Sequence, residues 1–323
     1  MVRALVSLLP LALRREMSRE NRRQRDRGGR GALARPEPYA NPEAREYLVD
    51  WLVATAEYLK TTDAHRHLTT AQFSIPAFGL ELWHRPGLDI VHNNAYLHLV
   101  KRWQAERFER HAGIADMLHV FGETYRELYA RPILVGEWGG HPKRNESEAL
   151  LAELHVGLWA AAMTDLSGST GFWWWNLVDA EDAWGHFAAL ARFVEGEDRR
   201  GIDFVSSRGS VHFPASEIER RALVRHAPDR LRAYIFAEAL NRPFAGLAAE
   251  NADDPRLSES GPGVLELPPE LLPGTYRLEI WNTFEGRILG TEIVTLAEPS
   301  GTSPRLLRLP SHRVDLALKL RPE

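Results

Sequence analysis

The sequence predicts an α/β domain built on a parallel sheet, followed by a small antiparallel β domain. Three observations carry this. Between Asn41 and about Gly201, segments of helical period alternate with short β-branched or apolar runs, the order of a parallel α/β fold. One of those runs, Ile133-Leu134-Val135, is apolar without alternation, as suits a strand covered on both faces. After about Asp203 the pattern changes to short strands separated by turn residues, which suggests a sandwich.

Taken in order, residues 1–35 hold ten arginines and no strand pattern, and Arg22-Arg-Gln-Arg25 reads as a disordered or out-of-frame segment. Arg3 and the apolar stretch Ala4 to Leu13 have the outline of a secretion signal, but Arg14-Arg15 follows without a small-residue cleavage site. Cytoplasmic and secreted locations both stay open. The stretch is too short to span a bilayer, so no membrane segment is expected. Asn41 can cap a helix with Pro42 in its first position, and Leu48, Trp51, Leu52, Thr55, Tyr58 and Leu59 recur at helical spacing. His67 to Ser74 and Leu88 to Ala95 read as strands, and a helical region follows to about Tyr129, broken near Gly113. After the Ile133 strand, Asn145 and Glu148 suit a helix start, with an apolar stripe of Leu150, Leu151, Leu154, Leu158, Trp159 and Ala162. Ser169 to Asn176 is a fourth strand, and Phe187 to Val194 a closing helix. Six strands are then predicted near 231–237, 263–267, 275–281, 288–296, 305–309 and 314–320. The division is 1–35, 36–203 and 204–323.

Composition narrows the function. The net charge of −4 gives no reason to expect a nucleic-acid partner. The absence of cysteine excludes disulfides, thiolate catalysis and Cys-ligated zinc. His84, His92 and His98 match no metal-ligand spacing, and no phosphate loop, serine elbow or dinucleotide fingerprint occurs, so neither metal nor cofactor is expected. The strand ends offer Ser74, then Asn94 with Tyr96, then Glu137 with Trp138, then Trp174, Trp175 and Asn176. A carboxylate among amide, phenol and indole groups is what a sugar site needs, because sugar C–H faces stack on aromatics while the hydroxyls want fixed polar partners. Glu137 ends a buried strand, where a charge is either used or ion-paired, and both readings stand on the residues alone. Asp179, Glu181 and Asp182 read as a solvated loop or a rim contact; His141 and Lys143 come after Glu137 in a surface loop or at a cleft edge.

These pieces carry a resemblance. DAHRHLTTAQFS (63–74), DIVHNNAY (89–96), RPILVGEWGG (131–140) and the stretch 154–196 together resemble the C-terminal half of a clan A glycoside hydrolase of the family 5, cellulase and mannanase, type. The resemblance implies part of a (β/α)8 barrel, about strands five to eight, with the β domain often appended to it. It implies retaining hydrolysis of β-glycosides in a poly- or oligosaccharide. Glu137 takes the place of the nucleophile, Tyr96 and Asn94 flank it, Asn94 standing where the family has His, and Trp175 takes the place of the sugar platform. Two carboxylates roughly 5–5.5 Å apart are needed for retention. The family's Asn-Glu acid/base has no counterpart here, since Asn145-Glu146 comes after the nucleophile and suits a helix cap. A full barrel takes about 250 residues and about 160 precede the β domain, so the resemblance implies an incomplete barrel. Open strand edges favour self-association. A non-catalytic carbohydrate-binding or degenerate remnant is the alternative.

Overall fold

The computed structural model describes residues 42–76, 79–109, 112–140, 147–169, 171–241, 259–298 and 304–323. It divides into two compact units, one made of the described residues within Met1–Thr69 and Phe78–Leu88, the other of Thr70–Ala77 and Asp89–Glu323. The Arg-rich segment, Asn41, His141, Lys143, Asn145 and Glu146 lie outside the described residues.

The first unit is helix α1 (Pro42–Thr62) with a 3-10 turn, Leu80–His84. Gly87 has φ +87° and approaches Ala56 of the helix, where a Cβ would stand 3.3 Å from the alanine methyl. Exposed ion pairs Arg45–Glu81 and Arg85–Asp50 join its two parts and contribute little.

The second unit opens with a parallel sheet in chain order: β1 (Val91–Tyr96), β2 (Ile133–Gly139) and β3 (Gly168–Ser169). Helices α2 (Leu97–Trp103) and α3 (Ile114–Leu128) connect the first two strands. Helix α4 (Ser147–Ala162) precedes β3. Of the strand expected over His67–Ser74, one bridge forms, Phe73 to Asn93, with Asn94 N–H donating to Phe73 O at 2.9 Å. The expected strand Ser169–Asn176 also needs correction. It stops after Ser169, makes one further bridge from Phe172 to Trp138, and gives way to helix α5 (Trp175–Ala180) before α6 (Trp184–Val194). The glycines explain the short pairing. A Cβ on Gly171 would collide with Gly136 O at 2.5 Å, so the chain passes there at backbone contact distance.

Helix α4 departs from a one-sided stripe. It is buried from Ala149 to Ala161 with one interruption, as suits a helix enclosed by protein, and it carries Glu153 and His155 buried among its apolar residues. One face meets the parallel sheet, where Gly157 makes room for the Trp138 ring. The other presents Trp159, whose ring lies 5.0 Å from Phe193 and 5.9 Å from Tyr234, with its indole N–H donating to Thr283 O at 3.2 Å.

Beyond α6 come two antiparallel sheets. The larger holds β4 (Val205–Gly209), β6 (Arg220–Ala227), β7 (Arg230–Ala237), β9 (Gly274–Asn282), β10 (Arg287–Leu296) and β12 (Asp315–Pro322), in the order β10-β9-β12-β7-β6-β4. The smaller holds β5 (Val211–His212), β8 (Gly263–Glu266) and β11 (Leu306–Leu309), in the order β11-β8-β5. Leu231, Ile235, Leu278, Leu316, Leu318 and Leu320 of the larger sheet share one buried cluster with Leu265, Leu307 and Leu309 of the smaller. Strands β4 to β6 have no counterpart in the sequence expectation.

The opposite face of the larger sheet lies against α4 and α6 and buries charge. Asp315 is fully buried; its Oδ2 accepts from His155 Nε2 at 2.9 Å and Tyr234 Oη at 2.6 Å, and its Oδ1 accepts from Thr283. His155 stacks on Phe284 with centroids 3.9 Å apart, and its Nδ1 lies 2.9 Å from His186 Nδ1. Burial pushes Asp315 up, but the His155 ring and the three hydrogen bonds outweigh it and hold the carboxyl below its usual range. Burial, and then the His155 ring, push His186 down to about 4, against the pull of Asp315. His312 also falls to about 4, through burial and then Arg220.

This packing can be tested in two ways. Gly157→Ala drives a methyl into the Trp138 ring and should cost about 1–3 kcal/mol. An unchanged melting temperature in a thermal scan would show that the helix does not sit on that indole. The second test concerns pH. His186 and His312 titrate near 4 when folded and near 6.5 as free side chains, so between those values the unfolded chain binds protons that the native chain does not. Stability should therefore fall steadily as pH drops from about 6.5 towards 4, with the Asp315 contribution lost below that. Melting curves at stepped pH measure this, and a His186→Gln variant should show a shallower slope over that window.

Candidate active site

A strand alternates its faces, so His92, Asn94 and Tyr96 share one side of β1 while Asn93 and Ala95 take the other. Asn93 Nδ2 reaches Tyr125 Oη at 2.5 Å on the α3 side. The two strands pair in register from Val91↔Ile133 to Asn93↔Val135, then resume at Ala95↔Trp138. Two residues of β2, Gly136 and Glu137, therefore stand opposite Asn94 alone. This is a bulge, and it re-aims the side chains on its C-terminal side. Without it Glu137 would stand opposite Ala95, on the helix side. With it, Trp138 takes that side, and Glu137 joins Asn94 and Tyr96.

The contacts obey this register. Asn94 Nδ2 donates to Glu137 Oε2 at 2.8 Å, and Tyr96 Oη donates to the same oxygen. Gln72 Nε2 donates to Asn94 Oδ1 at 2.6 Å. Asn94 is 2% exposed, while Glu137 and Tyr96 are half-buried. Burial, and then the hydrogen bond and charge of Glu137, push the Tyr96 phenol far above its ordinary range, against a smaller pull from Asn94. Tyr96 therefore stays a donor at any working pH. Burial pushes His92 below its usual value despite the opposing charge of Glu137, so its ring is neutral near pH 7.

The aromatic residues sort by face. Trp138 is buried against Phe172, 5.0 Å between centroids, and belongs to the packing under the sheet. Trp173, which the sequence does not separate from its two neighbours, is the indole that meets the cluster. It stands edge-on to Tyr96 with centroids 5.8 Å apart, across Gly139, which has no side chain to block it. Trp174 is half-buried, and Trp175 opens α5 at 74% exposure. Ser74 and Asn176 are exposed, and among the described residues no hydrogen bond ties either to Glu137. Asp179, in the last turn of α5, and Glu181 and Asp182 just after it are exposed. No described cluster of three His, Asp or Glu residues could hold a metal ion. Gln72 and Trp173 are the site residues that sequence reasoning did not single out. The alternation of a Trp run next to glycines was the available signal for the second.

The arrangement is a carboxylate whose one oxygen is held by two neutral donors, beside an accessible indole edge. It can present the second oxygen to an electrophilic carbon. No protein-family model matches the sequence, and no curated protein matches it. Among solved structures, one described as a glycoside hydrolase is similar at a TM-score of 0.52 and 12% identity, over 84% of this chain and 60% of that one. A family 5 glycoside hydrolase from Bacteroides vulgatus ATCC 8482 is similar at 0.46 and 11%, over 86% and 67%. A family 30 subfamily 8 xylanase from Clostridium acetobutylicum is similar at 0.40 and 7%, over 86% and 61%. These three structures are described as glycoside hydrolases or a xylanase. The chain spans 60% of the length of the first, and the first likeness shows a shared mixed α/β fold.

Proposed function

We propose that this chain carries the nucleophile half of a retaining β-glycoside hydrolase of the cellulase and mannanase type. The observation that carries the reading is the pair of donors from Asn94 and Tyr96 on Glu137 Oε2. Two hydrogen bonds on one oxygen fix the carboxylate and leave Oε1 as the attacking atom. Glu137 Oε1 forms the bond to the anomeric carbon as the bond to the leaving oxygen breaks, giving a glycosyl-enzyme. The donors are neutral, so they hold the carboxylate without cancelling its charge. Trp173 lies where a sugar ring over Glu137 would meet an apolar face, with Trp175 as a more distant platform; Trp138 has no part in binding. We place the boundary between the catalytic part and the β domain at 203/204, with the barrel portion before it.

Both halves of the reaction need a general acid/base carboxylate, first to protonate the leaving oxygen and then to deprotonate the incoming water, and the resemblance offers no residue for it in this chain. Proton donation is typically worth about 10²–10⁴-fold. Dinitrophenyl glycosides need no such proton, and they isolate the step assigned here. A dinitrophenyl 2-deoxy-2-fluoro-β-glycoside should label the folded protein on the peptide containing Glu137, and Glu137→Gln should abolish the label. Tyr96→Phe removes one charge-assisted hydrogen bond and should slow labelling about ten- to a hundredfold. Labelling at another residue, or none with a folded protein, would sink the reading. Sugar-induced quenching of tryptophan fluorescence without labelling would instead favour a binding module, which the exposed indoles of Trp173 and Trp175 could serve.

A further inference from the structure

Glu137 is held by Asn94, and the question is what holds Asn94. A primary amide has two ends of similar size and opposite hydrogen-bonding character. Turned one way, Asn94 donates to the carboxylate; turned the other way, it sets a carbonyl oxygen against it. The side chain is 2% exposed, so water is poorly placed to stabilise either orientation. Glu137 favours the first, and the exposed Gln72 adds a contact on the other end of the amide. Gln72 precedes the Phe73 bridge, on the opposite strand face from Phe73, and its Nε2 reaches Asn94 Oδ1 at 2.6 Å. With that acceptor engaged, Nδ2 is left for Glu137 Oε2, 2.8 Å away. Two hydrogen bonds in series thus run across three neighbouring chain passes.

The space for this chain is also specific. A Cβ on Gly136 would collide with Gln72 Nε2 and His92 Nε2 and stand 3.0 Å from Asn94 Oδ1. The bulge residue must therefore lack a side chain for Gln72 to reach across. His92 lies beside the same spot, but neither of its ring nitrogens has a hydrogen-bond partner among the described residues, so it fills space without competing for Asn94.

We propose that Gln72 is a positioning residue of the site, locking the Asn94 amide in the orientation that donates to Glu137, and that Gly136 supplies the clearance. The inference rests on the reading of Glu137 as the nucleophile, but its central claim, the lock, has a readout that does not. The full chain is labelled with ¹⁵N at asparagine side chains, and the Asn94 amide pair is assigned by its disappearance in Asn94→Asp. In the wild type one proton of that pair should lie well downfield, as expected for donation to a carboxylate, and exchange slowly. In Gln72→Leu it should move towards the position of exposed amides. Gln72→Met, which keeps the length, serves if the leucine variant does not fold, and Gly136→Ala should act in the same direction. With the fluoroglycoside, Gln72→Leu should lower the inactivation rate constant about tenfold and leave the binding constant unchanged. An Asn94 pair unmoved in a folded Gln72 variant overturns the lock whatever the kinetics. Absence of labelling in the wild type would remove the nucleophile, while the Asn94 spectrum would still decide the role of Gln72.

Discussion

The site depends on one extra residue in β2. Pairing proceeds in step to Asn93↔Val135 and resumes a residue late at Ala95↔Trp138. Shifting a strand by one residue exchanges its two faces. Here the shift is applied to the last residues only, so Val135 stays buried on the side where regular pairing puts it while Glu137 turns to join Asn94 and Tyr96. The same step sends the Trp138 ring to the opposite side, against Gly157 of α4. The acid and the indole adjacent in sequence thus separate into a half-buried carboxylate and a packing anchor. An ordinary strand would have buried the carboxylate among the helices, where an unpaired charge is expensive.

Helix α4 transmits this arrangement to the rest of the unit. Its Gly157 face receives Trp138, and its His155 and Trp159 face meets the larger antiparallel sheet. The second contact is centred on a carboxylate, Asp315, with three donors and no exposure. Such a group adds little net stability compared with an apolar pair, but removing any one partner leaves a buried charge short of a donor. It therefore specifies how helix and sheet meet more than how tightly. The sheet is covered on both faces as a result: leucines of β12 at 316, 318 and 320 face the small sheet, while Asp315 and Lys319 face the helices.

That double covering also decides what the sequence could reveal. The parallel βα order and the six later strands were legible, because apolar period and turn residues report them directly. Strand β6 was not. Its residues Arg220, Arg221, Arg225 and His226 look solvated, yet Arg220 lies over Phe213 at 5.6 Å and Arg225 over Phe204 at 5.3 Å, so aromatic faces cover charged residues of a strand whose Ala222 and Val224 join the apolar cluster. The strand expected at Ser169–Asn176 failed for the converse reason. Its β-forming tryptophans suggested length, while Gly168 and Gly171 allow the backbone to close on β2 and leave the pairing after Phe172.

The three consecutive tryptophans show how far local pattern reaches. Alternation says that neighbours point oppositely, but not which one faces the carboxylate, since that depends on the bridge Phe172 makes to Trp138. Once Phe172 is committed to the packing side with Trp138, Trp173 must fall on the side of Tyr96, and the bare backbone of Gly139 lets it approach. The choice of indole is therefore a consequence of the bulge as well. The residue that shifts Trp138 inward also sets where its bridge partner lies, and so places the aromatic edge beside the acid. Position along the sequence, which favours the Trp nearest the Asn-Leu pair, carries no information about that step.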